Sequence, residues 1–198
     1  MPKVLFSSPS PYSAKVRMGA THAGYDFEAV SVDTGAEPDI LISANPLGKI
    51  PVLLTDDGRA VFDSAMILQF INREKRGSLY PANAAKRTEA ETLEALADGL
   101  ADALIAHIYE RRFRPEEKVH QPWLDKQWKK ATRALDHFNA QPPRLTGKLT
   151  GGHIALRAAL GYASLRFEGQ WERGRAKLVR WTKKFDQKYP ELAALLPK

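Results

Sequence analysis

Three short segments combine residue types that could bind and activate a small charged ligand. The first is 45–53 (NPLGKIPVL), where Pro51 stands directly before an apolar run typical of a buried strand. Proline has no backbone N–H to give to a sheet, and a cis Ile50-Pro51 bond would turn the chain at this point. The turn would leave the backbone of Val52 open to an extended peptide ligand, which could pair with it as an added strand. A plain turn followed by a strand explains the same residues equally well.

The second segment, Asp63 and Ser64, ends a predicted strand and opens a predicted helix. Ser64 fits the N-cap position, and a helix N-terminus offers a carboxylate free N–H groups and the positive end of the helix dipole. Asp63 beside it could orient an ammonium group. Together they suit the charged end of an amino-acid-like ligand, although this pair in isolation is also typical of an ordinary helix cap.

The third segment, 10–13 (SPYS), again lies between a predicted strand and a predicted helix. Its spacing is that of the Cys-Pro-Tyr-Cys of glutaredoxin, with serine at both cysteine positions. A serine hydroxyl at a helix start can donate a hydrogen bond to a thiolate, and the helix dipole adds favourable potential. Ser10 itself is not expected to be a nucleophile, because no His or carboxylate is spaced to act as its base. The chain has no cysteine, so the thiol must belong to the ligand.

The elements that position these segments fall into two parts. Residues 1–80 predict the order β-α-β-α-β-β-α, with strands near 3–6, 27–32, 52–54 and 60–62 and an Asp-Gly hairpin turn. The rest predicts helices alone, at 84–113, 122–140, 152–167, 174–188 and 191–196. We therefore expect an α/β domain at residues 1–80 and an all-α domain at residues 86–198, joined by a polar linker.

The charge of the chain is unevenly distributed. Residues 1–80 carry 8 Lys and Arg against 9 Asp and Glu, whereas residues 81–198 carry 22 against 14. A basic half can indicate nucleic-acid binding, but these residues alternate with apolar ones at helical spacing, which favours a solvated helix face. Neither a nucleic-acid nor a membrane partner is expected, and the five histidines show no metal-ligand spacing. Without a span-length apolar run or a secretory signal, the expected location is the cytoplasm.

Taken together, the segments 10–12, 45–53 and 62–64 resemble the cytoplasmic glutathione transferases, and the resemblance extends over the whole chain. It implies a thioredoxin-like α/β domain followed by an all-α domain. It also implies an enzyme, of a bacterial serine type similar to the theta and tau classes, that adds glutathione to small electrophiles and has a role in detoxification. A glutathione-binding stress or interaction protein with little transferase activity is the alternative.

The resemblance also implies roles for individual residues. Pro51 would be cis, Val52 would pair with the cysteinyl part of glutathione, and Lys49 would lie near its glycyl carboxylate. The γ-glutamyl end and the thiol would be held by the other two segments. The implied glutathione site consists of Ser10, Lys49, Ile50, Pro51, Val52, Asp63 and Ser64, with no metal.

Some assignments stay open. Ser10 is preferred as the thiol-activating residue because the following Pro-Tyr fixes the alignment, with Ser8 and Tyr12 in reserve. A second-substrate pocket would be lined by Tyr12, Tyr109, Arg112 and Phe113, unless the last three form a solvated helix end. A homodimer is expected, because the helix at 84–113 is apolar on more than one face and the family pairs along that junction.

One departure from the family concerns the start of the helix near residue 152. Family members usually have Ser/Thr-x-x-Asp there, a capping box, whereas this chain has Thr150 followed by His153. Leu149 and Ile154 can still form the accompanying hydrophobic staple. The reciprocal side-chain bond is expected to be weakened or replaced, which affects local stability more than activity.

Overall fold

The computed structural model describes residues 1–198 as a small mixed sheet with three helices, followed by five further helices. The strands are β1 Lys3–Phe6, β2 Glu28–Ser31, β3 Val52–Leu54 and β4 Ala60–Val61. The helices are α1 Pro11–Ala23, α2 Asp39–Ala44, α3 Ser64–Glu74, α4 Ala84–Arg112, α5 Gln121–Ala140, α6 Gly151–Phe167, α7 Ala176–Lys188 and α8 Pro190–Ala193. Single 3-10 turns lie at Thr34–Ala36 and Glu116–Lys118.

The sheet has the order β2-β1-β3-β4, with β1 parallel to β2 and antiparallel to β3. Strands β3 and β4 form the predicted hairpin, closed by the Thr55 N–H donating to the Arg59 carbonyl at 2.9 Å. Gly58 in the turn has a φ of 82°, a conformation that favours glycine. The predicted order of strands and helices in this part is therefore confirmed.

The pairing brings three loops to one end of the sheet. Leu5 near the end of β1 faces Val52 at the start of β3, and Leu53 faces Val61 at the end of β4. The loop after β1, the turn before β3 and the residues after β4 therefore lie side by side. We call this region the site end of the sheet, and it is formed by residues 7–10, 45–51 and 62–64.

All five helices predicted in the second part are present, and only their ends differ. Helix α7 begins at Ala176 instead of 174, because Gly174 has a φ of 74° that an α-helix does not contain. Helix α8 ends at Ala193 instead of 196, because the Leu195 and Leu196 N–H groups donate to the carbonyls three residues before them, at 3.0 and 3.3 Å, and form tighter turns than an α-helix. None of the helices is both long and apolar enough to cross a membrane.

One hydrophobic core runs through both parts of the chain. Helix α4 packs against α5 and α6, and α1 packs against both α3 and α6. The approach of α6 to α4 requires a glycine, because a Cβ at Gly152 would lie 2.6 Å from the Ala90 carbonyl oxygen and 2.8 Å from Leu93. The second part of the chain thus packs against α1, the helix that follows β1.

A buried group of charges fixes α1 to α4. The Lys15 ammonium is 1% exposed and lies 3.0 Å from Glu94 and 2.7 Å from Asp98. The Tyr80 hydroxyl donates to the other oxygen of Glu94. Burial raises the pKa of Asp98, and Lys15 opposes that shift. Removing one partner of such a pair leaves an uncompensated buried charge, so this contact sets the register of α1 on α4.

At the start of α6, the histidine takes over the function of the family's aspartate. The Thr150 N–H donates to His153 Nδ1 at 3.3 Å, and the Thr150 hydroxyl lies 2.7 Å from the same nitrogen. His153 Nε2 lies 3.1 Å from the Arg144 carbonyl and donates to it. The neutral Nε2–H tautomer satisfies this arrangement. Leu149 and Ile154 are buried beside it, as a hydrophobic staple requires.

This replacement predicts a pH-dependent stability. Burial lowers the pKa of His153, with the bond to Arg144 opposing, so at mildly acidic pH the unfolded chain binds a proton that the folded chain does not. The free energy of unfolding is therefore expected to fall as the pH drops below the ordinary histidine pKa of about 6.5.

His153→Asp should remove part of this fall, because a carboxylate accepts from the Thr150 N–H throughout that range. His153→Ala should cost about 1 kcal/mol at pH 7, as a lost hydrogen bond does. Urea unfolding at pH 7 and pH 5 measures both. Burial also lowers the pKa of His22 and His107, so the comparison is between variant and parent. An equal fall in the free energy of unfolding for His153→Asp and for the parent would contradict the assignment to His153.

Candidate functional site

The loop after β1 presents one serine hydroxyl at the start of α1. Ser10 is the N-cap, and its Oγ accepts from the Ser13 N–H at 3.2 Å. Because a hydroxyl both accepts and donates, the Ser10 proton stays available to a ligand. Ser13 is fully buried and accepts from the Ser7 N–H at 3.3 Å. Ser8 is exposed, and its carbonyl accepts from the Lys198 N–H at 3.2 Å.

The Tyr12 hydroxyl is engaged elsewhere. It donates to the Asp102 carboxylate on α4. Burial, together with that hydrogen bond and the charge of Asp102, holds the pKa of Tyr12 far above its ordinary value. A neutral phenol whose proton is directed at a carboxylate is a poor donor to a thiolate, so the geometry favours Ser10 over Tyr12 for that role.

The turn before β3 is held by a buried asparagine. Asn45 is 2% exposed, its Nδ2 donates to the Lys49 carbonyl at 2.8 Å, and its Oδ1 accepts from the Leu47 N–H at 3.1 Å. The Ile50-Pro51 peptide that follows is cis, as the family resemblance implied. The Asn-Pro-x-Gly-Lys part of the motif therefore shapes the backbone that enters β3.

The main chain of Ile50, directly before Pro51, is unpaired. Neither the N–H nor the carbonyl of Ile50 forms a hydrogen bond within the chain, and its side chain is half-buried. Val52 lies in β3 opposite Leu5, with its side chain fully buried. Ile50 therefore offers a donor and an acceptor to an extended ligand. The sequence predicts this pairing at Val52, two residues further along.

The Asp63-Ser64 pair is arranged differently from the sequence expectation. Asp63, not Ser64, is the N-cap of α3, and its Oδ1 accepts from the Ala65 and Met66 N–H groups at 3.1 and 3.3 Å. The prediction that Ser64 is the cap is wrong, because the aspartate one residue earlier reaches both N–H groups. Ser64 is the first helical residue and is 5% exposed, and its hydroxyl forms no hydrogen bond within the chain. The Phe62-Asp63 peptide is cis.

The site end of the sheet thus collects free polar groups of opposite character. The hydroxyl and the main-chain N–H of Ser64 are both unpaired at the start of α3 and suit a carboxylate, and the exposed Asp63 carboxylate suits an ammonium. Lys49, also exposed, forms no ion pair and is available to a second carboxylate. All of these groups lie on the loops at the site end of the sheet that also carry Ile50.

Across from the loop after β1, the ends of α4 and α6 form a second wall. Tyr109 and Phe113 pack edge to face with ring centroids 4.9 Å apart, and both are largely exposed. Tyr109 is close enough to Tyr12 to contribute to its raised pKa. Burial raises the pKa of Tyr162 on α6, and the charges of Arg166 and Arg112 lower it. We call Tyr109, Arg112, Tyr162 and Arg166 the helical wall.

Tyr109 and Phe113 also border an open groove on the other side of α4. Its volume is about 470 Å³, and its remaining lining residues are Ala106, Glu110, Arg114 and Trp123. The groove lies between α4 and the start of α5 and shares Tyr109 with the helical wall. No group of three or more His, Asp or Glu side chains is arranged to hold a metal ion.

Several residues of the site could not be found from the sequence. Asp102 meets Tyr12 across 90 positions of chain, and Tyr162 and Arg166 lie on a helix whose relation to α4 only packing defines. The single sequence signal was the four-residue spacing of Tyr162 and Arg166, which places them on one side of a helix.

Comparisons with known proteins agree with this arrangement. Residues 9–74 match the family model of the glutathione S-transferase N-terminal domain. A GST-like protein of Escherichia coli, YibF, is 29% identical over 83% of each chain. A glutathione S-transferase from Methylobacillus flagellatus, solved with glutathione bound, superposes with a TM-score of 0.92 at 30% identity over the whole of both chains.

A family member from Pseudomonas fluorescens is similar as well. Its structure with bound glutathione matches at 31% identity and a TM-score of 0.90, over the whole of both chains. A structure with bound S-(propanoic acid)-glutathione matches at 30% identity and 0.87, again over the whole of both. The chain belongs to the glutathione S-transferase family of enzymes, and the fold class that the resemblance implied is confirmed.

Proposed function

We propose that the protein binds glutathione at the site end of the sheet and adds its sulfur to small electrophiles. The observation that carries this proposal is the unpaired main chain of Ile50 beside the free Ser64 hydroxyl, on loops that the sheet holds together. The cysteinyl backbone would pair with Ile50, next to Pro51 and Val52. Family relatives at about 30% identity bind glutathione over the same fold.

The two charged ends of glutathione match the charges around the start of β3. Its γ-glutamyl carboxylate would accept from the hydroxyl and the N–H of Ser64 at the start of α3, and its ammonium would face Asp63. The glycyl carboxylate would lie towards Lys49. Each contact joins opposite charges or completes an unmade hydrogen bond, the combination that gives a small polar ligand its orientation.

The sulfur would lie at the start of α1. There the Ser10 hydroxyl donates to the thiolate, and the positive end of the helix dipole stabilises the same charge. The thiolate then attacks the electrophilic carbon, and the leaving group departs or, in an addition, the adjacent carbon takes up a proton from water. A role in detoxification follows if such electrophiles are its substrates, and the expected cytoplasmic location stays a prediction.

Calorimetric titration of glutathione, followed by conjugation assays with a panel of electrophiles, tests the proposal. Binding and turnover are both expected. Binding without turnover on any electrophile would favour the alternative, a glutathione-binding stress or interaction protein. Absence of binding would contradict the proposal.

A homodimer is part of the proposal. Met66 on α3 is 52% exposed, and the neighbouring Gln69 bonds to Glu91 on α4, so the two helices present one continuous face. Light scattering at micromolar protein is expected to give about twice the chain mass of 22.1 kDa. Met66→Glu should shift the mass towards the monomer, whereas Ile40→Glu, on exposed α2, should not. A wild-type mass of one chain would contradict the prediction.

A further inference from the structure

The residues that follow α8 reach back to the loop after β1. The Lys198 N–H donates to the Ser8 carbonyl at 3.2 Å. No other hydrogen bond joins residues 7–10 to the part of the chain beyond residue 80. We call residues 195–198 the return segment. It connects the helical part of the chain to the loop that carries Ser10.

An arginine on α1 holds the beginning of the return segment. The Leu195 carbonyl accepts from Arg17 Nη2 at 3.0 Å, and the same guanidinium lies over the Phe6 ring, 4.3 Å from its centroid. Arg17 is part of no ion pair. Because no carboxylate pairs with it, this guanidinium serves to join α1, the end of β1 and the return segment.

The return segment also fills a notch in α6. Pro197 is buried, and a Cβ at Gly161 would lie 2.8 Å from Pro197 Cδ and 3.0 Å from Leu196 Cδ2. Alanine is a better helix former than glycine, so a larger residue at this position would favour α6 itself while displacing the segment. The place of Pro197 therefore depends on the absence of a side chain at position 161.

The contact with Ser8 lies at the tip of a turn that ends at the proposed thiol-activating serine. The Ser10 N–H donates to the Ser7 carbonyl at 3.1 Å, so Ser8 and Pro9 form the tip. Loop tips are among the most mobile parts of a fold unless a contact ties them down. The bond from Lys198 ties this tip to the helical part of the chain.

A purely structural role does not explain this bond. The packing of Pro197 against α6 and the bond from Arg17 already hold the segment in place. Ser8 and Lys198 are both exposed, so water could satisfy their main-chain groups almost as well. The bond therefore adds little to stability, whereas its place two residues before Ser10 gives it an effect on the site.

We propose that the return segment is a positioning element for the reaction: by holding the turn tip at Ser8, it fixes the position of the Ser10 hydroxyl relative to the sulfur of glutathione. The inference rests on the proposed function, since it needs glutathione in place. A donor stabilises an anion best when it is already in position as the charge forms. A misplacement of about 1 Å caused by a substitution far from the chemistry can cost on the order of 10²-fold in rate.

Lys198→Pro removes the N–H that bonds to Ser8, and Lys198→Ala, which keeps it, is the matched control. In Lys198→Pro the pKa of the bound thiol is expected to rise part of the way towards that in Ser10→Ala, and kcat for conjugation near neutral pH should fall about threefold to tenfold. The Kd of glutathione should not change, because Ile50, Asp63 and Ser64 are untouched. Thiolate absorbance against pH, steady-state kinetics and calorimetry measure the three quantities.

Gly161→Ala tests the same contact from α6. It should displace Pro197, and Lys198 with it, and should reproduce both changes without weakening the helix. Gly99→Ala is its control, because it changes a glycine of α4 whose Cβ would meet open space. Combining Lys198→Pro with Gly161→Ala should have no more effect than the larger of the two, as expected for substitutions that act through one contact.

Each other outcome counts against the positioning role. If either folded variant keeps the wild-type thiol titration and rate, this inference alone is overturned. A shift in Lys198→Ala as large as in Lys198→Pro would also overturn it, since the side chain and not the N–H would then be responsible. A parallel loss of glutathione affinity would do the same, because the damage to the site would be general. Failure of the wild-type protein to bind glutathione would overturn the proposed function together with it.

Discussion

Ser64→Ala is expected to weaken glutathione binding by roughly 1.5–3 kcal/mol, about 10- to 100-fold in Kd, because it removes a hydrogen bond to a charged group. The hydroxyl makes no bond within the chain and is nearly buried, so its loss should leave folding almost unchanged. Calorimetric titration with glutathione measures the change. Ser31→Ala, at the far edge of the sheet on β2, is the control and should bind like the parent.

The partner of Ser64 needs a different substitution. Asp63→Ala would remove both the charge and the cap of α3, so reduced binding could reflect a frayed helix. Asp63→Asn keeps an oxygen for the Ala65 and Met66 N–H groups while removing the charge that faces the ammonium. It should also weaken glutathione binding while the thermal unfolding midpoint stays close to that of the parent. If Ser64→Ala or Asp63→Asn binds like the parent, the placement of the γ-glutamyl end is wrong.

Ser10→Ala is expected to slow conjugation near neutral pH and to raise the apparent pKa of bound glutathione, with a much smaller effect on affinity. Removing one preorganised donor to an anion can cost on the order of 10²-fold in rate, and a large, diffuse thiolate should lose less than that. Affinity should change little because it comes mainly from Ile50, Asp63 and Ser64. Steady-state rates and thiolate absorbance against pH measure both effects.

Ser10→Ala also affects the stability of α1, and Ser10→Thr is the control for that effect. Ser10 Oγ also caps α1 by accepting from Ser13, so alanine removes a cap worth about 1 kcal/mol of stability. Ser10→Thr keeps both the cap and the donor and should restore the rate and the thiolate pKa. Ser8→Ala and Tyr12→Phe should shift the titration little. If one of them shifts it while Ser10→Ala does not, the activating role belongs to that residue.

The sequence alone predicts most of the fold because the fold depends on local patterns. Hydrophobic periodicity located the strands and the long helices, whereas the segment that forms α2 fitted a helix or a loop. Gly24 ends α1 with a φ of 65°, as a glycine after a helix predicts. The helix ends were predicted less closely, since a single residue such as Gly174 decides where α7 begins. At the start of α3, two adjacent residues could both cap, and only the geometry shows that Asp63 does.

The contacts between the two parts of the chain were not predictable. Lys15 has no sequence feature that marks it as buried, yet it lies between Glu94 and Asp98, about 80 residues further along. Asp102 accepts a hydrogen bond from Tyr12 across a similar separation, because α1 and α4 meet only in the folded chain. A single sequence records which helices are amphipathic, but not which of them share a cleft.

The thiolate absorbance of glutathione bound to the wild-type protein, followed against pH, tests the central claim most directly. If Ser10 and the start of α1 stabilise the anion, the bound thiol should titrate below the value of about 8.5 for a free thiol, and Ser10→Ala should move the midpoint back towards it. Saturating binding with a midpoint at the free-thiol value would contradict the account, because the protein would then hold glutathione without activating it.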